Sequence, residues 1–381
     1  MKRRIAVITT SRADYSHLYW PLHDLSRHPE VDLQLIALGS HLSPEFGQTI
    51  REIEQDGLPI SARIECLLSS DTDVGMAKTI GVATLSLADC LGQMRPHLLL
   101  LIADRYEMLA PASVALALRI PVAHIEGGEI SEGAIDDAVR HALTKMSHVH
   151  FTSTFAARDR VIALGEEEWR VHRAGAPSID RLRRDRLYDR QQLEEQLNVE
   201  LKSPAAVIAY HPVTILRDTT QEADELFGAL GEVPGQLFFC YPNADAGSRD
   251  LIQRTEQYRT LRPDTHIFVN LPALTYWSLL RQVDIMVGNS SSGIMETPSF
   301  ALPTVNVGMR QQGRERARNI LDAAPEQPDI LAKIAFARSE QFRASLTGME
   351  NPYGEGHASE KIVEILTSVP LGEQLLIKKM R

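Results

Sequence analysis

Residues 98–107 read LLLLIADRYE. Five consecutive large apolar side chains leave no wet face, so this strand must be buried on both sides, as in a parallel sheet covered by helices. The run ends abruptly, and a charged, aromatic stretch follows at once. Working outward, shorter apolar runs at 5–8, 33–38, 122–125, 205–209, 237–240, 285–287 and 304–307 repeat the pattern, with amphipathic stretches between them. Strand, helix, strand is the rhythm of an α/β, doubly wound chain.

The 381 residues suggest two or three domains at roughly 150 residues each. Residues 180–202 (DRLRRDRLYDRQQLEEQLNVELK) hold almost no strand former, and the strand pattern restarts at 205. The expected division is therefore 1–182 and 183–365, two doubly wound domains facing a cleft at the carboxyl ends of their strands. Residues 359–376 look helical, and 366–381 are expected to return to the first domain.

Forty Lys and Arg against fifty Asp and Glu give a net charge of -10, and basic runs such as 2–4 and 378–379 are short. Nucleic-acid binding rests on clustered cations, so no such partner is expected, and any anionic ligand must be held locally. Cys66, Cys90 and Cys240 are odd in number and far apart, which suits neither a disulfide framework nor a zinc site. The N-terminus reads as a first strand with no cleavage signal, and the longest apolar run, 98–103, is too short to span a bilayer. A cytoplasmic protein with no membrane partner is expected.

In a doubly wound sheet, polar residues just after a buried strand face the ligand crevice. Five strand ends qualify: TSRADYS at 10–16, ADRYE at 103–107, HIEGGE at 124–129, YHP at 210–212 and GNSSSG at 288–293. The first half supplies carboxylates, the second hydroxyls and glycines. GNSSSG offers what a helix N-terminus needs to hold a phosphate: close backbone approach, outward N–H groups and hydroxyl donors. Its ordinary alternative is a serine cap. There is no GxGxxG and no GxxxxGK[ST], which disfavours a dinucleotide cofactor or a P-loop.

Asp104, Glu126 and Asp136 with Asp137 form the acidic set. Converging carboxylates repel, raising at least one pKa and yielding an acid/base pair. The plainer reading pairs Asp104 with Arg105 or a neighbouring arginine and leaves Asp136 and Asp137 as first-turn helix residues. His124 and His211 also follow strands, where a lone histidine is more often a structural hydrogen bonder. Asp71-Thr72-Asp73 has the spacing of a DxD metal motif but is common in loops, and no metal site is expected.

Taken in order, SRADY, GSHL, ADRYE, HIEGGE, GAIDDAVRHALTKMSH, HPVT, YPNADAGS, GNSSSGIME, NVGMRQQGRE and NPYGEGHA closely resemble the hydrolysing UDP-N-acetylglucosamine 2-epimerases of sialic acid and related nonulosonic acid synthesis, over about residues 3–370. The resemblance implies a GT-B fold with two Rossmann-like domains, a homodimer or homotetramer, and no redox cofactor or metal. It implies conversion of UDP-N-acetylglucosamine and water into UDP and N-acetylmannosamine through a 2-acetamidoglucal. Asp104, Glu126 and Asp136 would then perform the acid/base work. Arg12, Arg105, His211, Ser290 and Ser291 would bind or neutralise the diphosphate, with His211 counted among the catalytic groups. Glu296 and Arg310 would hold the ribose, Asn243 would lie near the base or diphosphate, and Ser16 and His41 would line the substrate pocket.

Some positions depart from the family. The run Ile102-Ala103-Asp104 lacks the glycine that many members have before the aspartate, which touches sugar contacts more than the reaction type. Gln253 and Glu256 stand where animal members carry feedback arginines, so that control is expected to be absent. The same mechanism on UDP-2,4-diacetamido-2,4,6-trideoxyglucose needs only an altered pocket around C4 and C6. A GT-B glycosyltransferase is the alternative of a different class.

Overall fold

A computed structural model describes residues 2–68, 72–132, 134–213, 222–241, 248–269 and 271–379. The chain forms two compact units. One comprises Met1–Glu129, Ile135–Arg184 and Tyr353–Arg381, the other Ile130–Ala134 and Asp185–Pro352.

The first unit is built on a seven-stranded parallel sheet of β1 (Arg3–Thr9), β2 (Val31–Leu38), β3 (Ile60–Ile64), β4 (Leu98–Ile102), β5 (Val122–Ile125), β6 (Val149–Thr152) and β7 (Val171–Arg173). Its order is β3-β2-β1-β4-β5-β6-β7. The second carries β8 (Ala205–Ala209), β9 (Gln236–Tyr241), β10 (Thr265–Val269), β11 (Ile285–Gly288), β12 (Thr304–Val307) and β13 (Ile320–Ala323), ordered β10-β9-β8-β11-β12-β13. Every residue of β4, β5, β8 and β11 is buried, as their apolar runs require. This is the expected α/β, doubly wound GT-B architecture. The strand order reverses between β1 and β4 and again between β8 and β11, so each sheet has its crevice at those carboxyl ends.

The apolar runs do not reveal β3, β6, β7, β10 or β13. β3, β7, β10 and β13 are edge strands, which need less continuous apolar sequence, and β6 (VHFT) is short and half polar. The interrupted segment from 180 onward is helical, with helices Asp180–Arg184 and Arg190–Leu197.

The return to the first unit begins at Tyr353, earlier than the expected 366, and includes the whole helix Ala358–Ser368. Asp180 explains this, because its carboxylate accepts from the backbone N–H groups of Ala358 at 2.9 Å and Ser359 at 2.7 Å, satisfying the first turn of that helix. Asp24 accepts from the Ser359 hydroxyl at 2.6 Å and pairs with both amino groups of Arg184 at 2.5 and 2.7 Å. The expected helix over 359–376 is broken after Ser368 by Pro370 and by Gly372 at φ 99°, and Glu373–Leu376 forms a separate turn.

Candidate active site

The first unit places four of the sequence-selected segments at the carboxyl ends of β1, β2, β4 and β5. After β1, Ser11 caps the helix Arg12–Arg27, accepting from Asp14 N at 3.4 Å. Arg12 starts this helix, and Ser16 lies half-buried one turn on. Asp14 is turned inward, accepting from the Thr10 backbone N–H at 3.1 Å and the Thr10 hydroxyl at 2.5 Å. Burial pushes its carboxyl above the ordinary range, against the pull of Arg105.

His41 and Arg105 are both buried. His41 is fully buried, its Nε2 bonded to the Thr9 hydroxyl at 2.9 Å and its Nδ1 to the Thr49 hydroxyl at 2.8 Å. Burial pushes its pKa down to about 3, so it is a neutral brace that presents neither nitrogen outward. Arg105 donates to Glu107 at 3.0 Å, and Glu107 is itself fully buried. Arg105 is thus the internal counter-charge for Asp14 and Glu107, whose carboxyl burial also pushes up.

Asp104, Asp137 and Glu126 each meet a basic partner, which offsets mutual repulsion in the acidic set. Asp104 accepts from Arg140, a guanidinium with 1% exposure that also donates to Glu129 O at 2.8 Å and Asp137 Oδ1 at 3.4 Å. Asp104 is thus paired with an arginine, but the partner is the distant Arg140, while Arg105 turns to Glu107. Asp136 and Asp137 occupy the first turn of the helix Asp136–Met146, where negative charge faces the positive end of the dipole. Glu126, directly after β5 at φ 66°, meets Nδ1 of His17 at 2.8 Å. His124 is the structural hydrogen bonder foreseen: it is fully buried, with Nε2 2.7 Å from Ala103 O and its pKa pushed down to about 4 by burial.

In the second unit the loop after β11 is closed onto the end of β8. Gly288 has φ 145°, and a Cβ there would stand 2.1 Å from Ala209 O, so only glycine permits this approach. Asn289 and Ser290 both donate backbone N–H to Ala209 O at 3.1 Å. The fully buried Asn289 side chain clamps the backbone of His211. Arg310 Nη1 and Gln311 Nε2 donate to Asn289 O at 3.2 and 2.9 Å. The helix expected after GNSSSG is a single turn, Ser292–Met295, and Ser291 at its start makes no side-chain capping bond, so its dipole is short and the loop's own donors must do most of any anion binding. Ser290 Oγ accepts from Ser292 N at 3.3 Å. Glu296 accepts from the Ser292 hydroxyl at 2.6 Å, and Tyr276 donates to the same hydroxyl at 2.9 Å.

Asn243 and Asp71 lie outside the described residues. Thr72 is the N-cap of the helix Asp73–Met94, accepting from Gly75 N at 3.0 Å, which is the ordinary role for that stretch. Among the described residues no group of three or more His, Cys, Asp or Glu is arranged to hold a metal ion. Sequence reading does not single out His17, Arg140, Asn289, Tyr276 or Gln311. Asn289 sits inside a quoted strand-end motif, and Arg140 and Gln311 inside motifs of the family resemblance; His17 and Tyr276 lie within helices, outside every quoted motif.

The profile of the UDP-N-acetylglucosamine 2-epimerase family matches residues 23–367. The chain belongs to that family. The epimerase is 35% identical over 347 residues to a hydrolysing GDP/UDP-N,N'-diacetylbacillosamine 2-epimerase of Campylobacter jejuni, covering 90% of this chain and 89% of the relative. It is 34% identical over 379 residues to a hydrolysing UDP-N,N'-diacetylbacillosamine 2-epimerase of Legionella pneumophila, covering 99% of each. A crystal structure of UDP-GlcNAc 2-epimerase from Neisseria meningitidis bound to UDP-GlcNAc shares the epimerase's fold, with a TM-score of 0.81 over 95% of this chain and 99% of the other at 18% identity.

Proposed function

We propose that this epimerase hydrolyses a UDP-linked 2-acetamido sugar with inversion at C2, releasing UDP and the free 2-epimer. The two relatives named for N,N'-diacetylbacillosamine, similar along nearly the whole chain, favour UDP-2,4-diacetamido-2,4,6-trideoxyglucose over UDP-N-acetylglucosamine as the substrate.

The chemistry constrains the roles. C2–H is next to no carbonyl and is not acidic, so a base can remove it only as the C1–O bond to UDP breaks and the C1=C2 bond of the glucal forms. Water oxygen then adds to C1 and a proton enters C2 from the opposite face. Two faces need two proton-transfer groups. We assign this work to Asp104, Glu126 and Asp136, and the leaving diphosphate to Arg12, His211, Ser290 and Ser291, with Glu296 and Arg310 towards the ribose. The observation that carries the reading is the pair of strand-order reversals, one lined by carboxylates and the other by the glycine-serine loop. Proton and phosphorus NMR in deuterated water, with each UDP-sugar in turn, tests it. Free UDP with a 2-epimer deuterated at C2 is expected; both sugars remaining intact would refute the assignment, and transfer only when an acceptor is added would favour a glycosyltransferase.

We also propose self-association of two copies through the helix Asp73–Met94. This helix is long and apolar enough to cross a membrane by length and composition, but it buries Gly75, Thr79, Ala83, Leu87 and Leu91 within the first unit. Its other face exposes Val74, Val82 and Leu85, and the helix Leu109–Leu118 exposes Leu116. Lys78 and Asp89 are exposed on that face and share a midpoint with Val82 and Leu85. Antiparallel pairing about a two-fold axis would set each Lys78 against the other copy's Asp89 while burying Val82 on Leu85.

A further inference from the structure

We propose that His17 is the proton relay connecting Glu126 with solvent. The inference rests on the 2-epimerase reading and adds a group that it does not contain.

Glu126 is a poor candidate for exchanging protons unaided. Its side chain is 7% exposed, and its backbone is pinned in the left-handed region at φ 66° with N–H donated to Phe151 O at 2.8 Å. That conformation is costly for a residue with a Cβ, and it persists only where the surroundings fix it. The backbone that carries the carboxylate is therefore held in one place. His17 lies on the helix Arg12–Arg27, which leaves the carboxyl end of β1, and its ring meets Glu126 Oε1 through Nδ1 at 2.8 Å. The His17 side chain is 19% exposed, so the imidazole touches the buried carboxylate at one edge and still reaches solvent.

The reaction requires such a connection. A base that takes the C2 proton finishes the elimination protonated, and an acid that delivers a proton to the other face finishes ionised. Whichever task Glu126 has, it must exchange one proton with water before the next turnover. When Glu126 has gained a proton, its O–H proton passes to Nδ1 of His17 and the imidazolium loses its Nε2 proton to water. When Glu126 has lost one, the same two transfers run in reverse. No other reactant is consumed. Imidazole suits this step because its ordinary pKa lies near neutrality and its two nitrogens can bind and release protons at opposite edges. His17 acts through Glu126 and is a positioning residue; it is assigned no contact with the sugar.

The test compares His17→Gln and His17→Ala with the wild type, each checked for an unchanged unfolding midpoint. Gln keeps a hydrogen bond to Glu126 but cannot relay a proton. Both variants should lose about tenfold or more in kcat at nearly unchanged KM. Added free imidazole should restore turnover in His17→Ala and leave the wild type unaffected. A His17→Gln enzyme at the wild-type rate, or a slow His17→Ala that imidazole does not speed, would make His17 a packing residue and overturn the relay. If the wild type itself releases no UDP from any 2-acetamido UDP-sugar, the epimerase reading and the relay fall together; if it does, the variants judge the relay alone.

Discussion

Asn289 grips His211 by both backbone groups: its Oδ1 accepts from His211 N at 2.7 Å and its Nδ2 donates to His211 O at 2.9 Å. The clamp joins the ends of β8 and β11, where the second sheet's order reverses. Removing it leaves a buried N–H and C=O unpaired, each costing about 1–3 kcal/mol. Asn289→Ala should therefore lose about 3 kcal/mol in urea unfolding and bind UDP more weakly by calorimetry. An unchanged midpoint and affinity would mean that the clamp is dispensable.

The serines of the same loop test binding separately from stability. Ser290 and Ser291 are half-buried and contribute little to the core. Replacing both by Ala should leave the unfolding free energy within about 0.5 kcal/mol while raising the Kd for UDP severalfold. Unaltered UDP affinity would remove the diphosphate from this loop.

The carboxylates should separate binding from chemistry. Asp104→Asn, Glu126→Gln and Asp136→Asn each keep size and shape but remove a proton-transfer group. Each should lower turnover at least about a hundredfold with UDP affinity nearly intact. Near-normal turnover in all three would be fatal to the acid/base assignment.

Buried histidines should make the fold weaken as acid is added. His41, His124 and His148 are buried, with pKa values pushed down to about 3, 4 and 4, chiefly by burial. The unfolded chain binds protons on them near pH 6.5 and the folded chain does not, so their stabilisation is complete above pH 6.5 and falls as pH drops towards 4. Glu166 adds a second phase. It accepts from Lys145 at 2.6 Å and from His150 at 3.2 Å and meets Lys378 at 2.7 Å, which hold its pKa down to about 2 despite burial. Its contribution is present above pH 4.5 and lost as pH falls towards 2. Urea unfolding from pH 7 to 3 should show a decline that starts near 6.5, and Glu166→Gln should flatten only the part below 4.5. A level profile between 6.5 and 4.5 would contradict the neutral buried histidines.

What the sequence makes legible follows from what is local. Strands buried on both faces, such as 98–102, announce themselves by composition, and the polar residues after them mark the crevice ends of both sheets. Partners separated along the chain do not. Arg140 reaches Asp104 from 36 positions away, and His17 meets Glu126 across 109. No periodicity records such pairings, so His41 reads like a pocket residue until Thr9 and Thr49 are seen to occupy both its nitrogens. Edge strands such as β3 are obscure for a related reason, since a half-wet strand carries a mixed pattern.

Self-association offers a test in which charge can be exchanged as well as removed. The Leu85 side chain is 74% exposed on the helix Asp73–Met94, so Leu85→Glu costs the isolated chain little. If Leu85 is buried against a second copy, the same change places a charge in an apolar seam and should halve the mass seen by light scattering. Gly81 has no heavy atom within 4 Å of where a Cβ would stand, so Gly81→Leu is tolerated by the single chain yet should obstruct close helix approach. Lys78→Glu should weaken association by setting it against Asp89, and Lys78→Glu with Asp89→Lys should restore it. An equal mass for Leu85→Glu and the wild type would exclude this face as the contact; recovery in the double charge reversal would fix the antiparallel register.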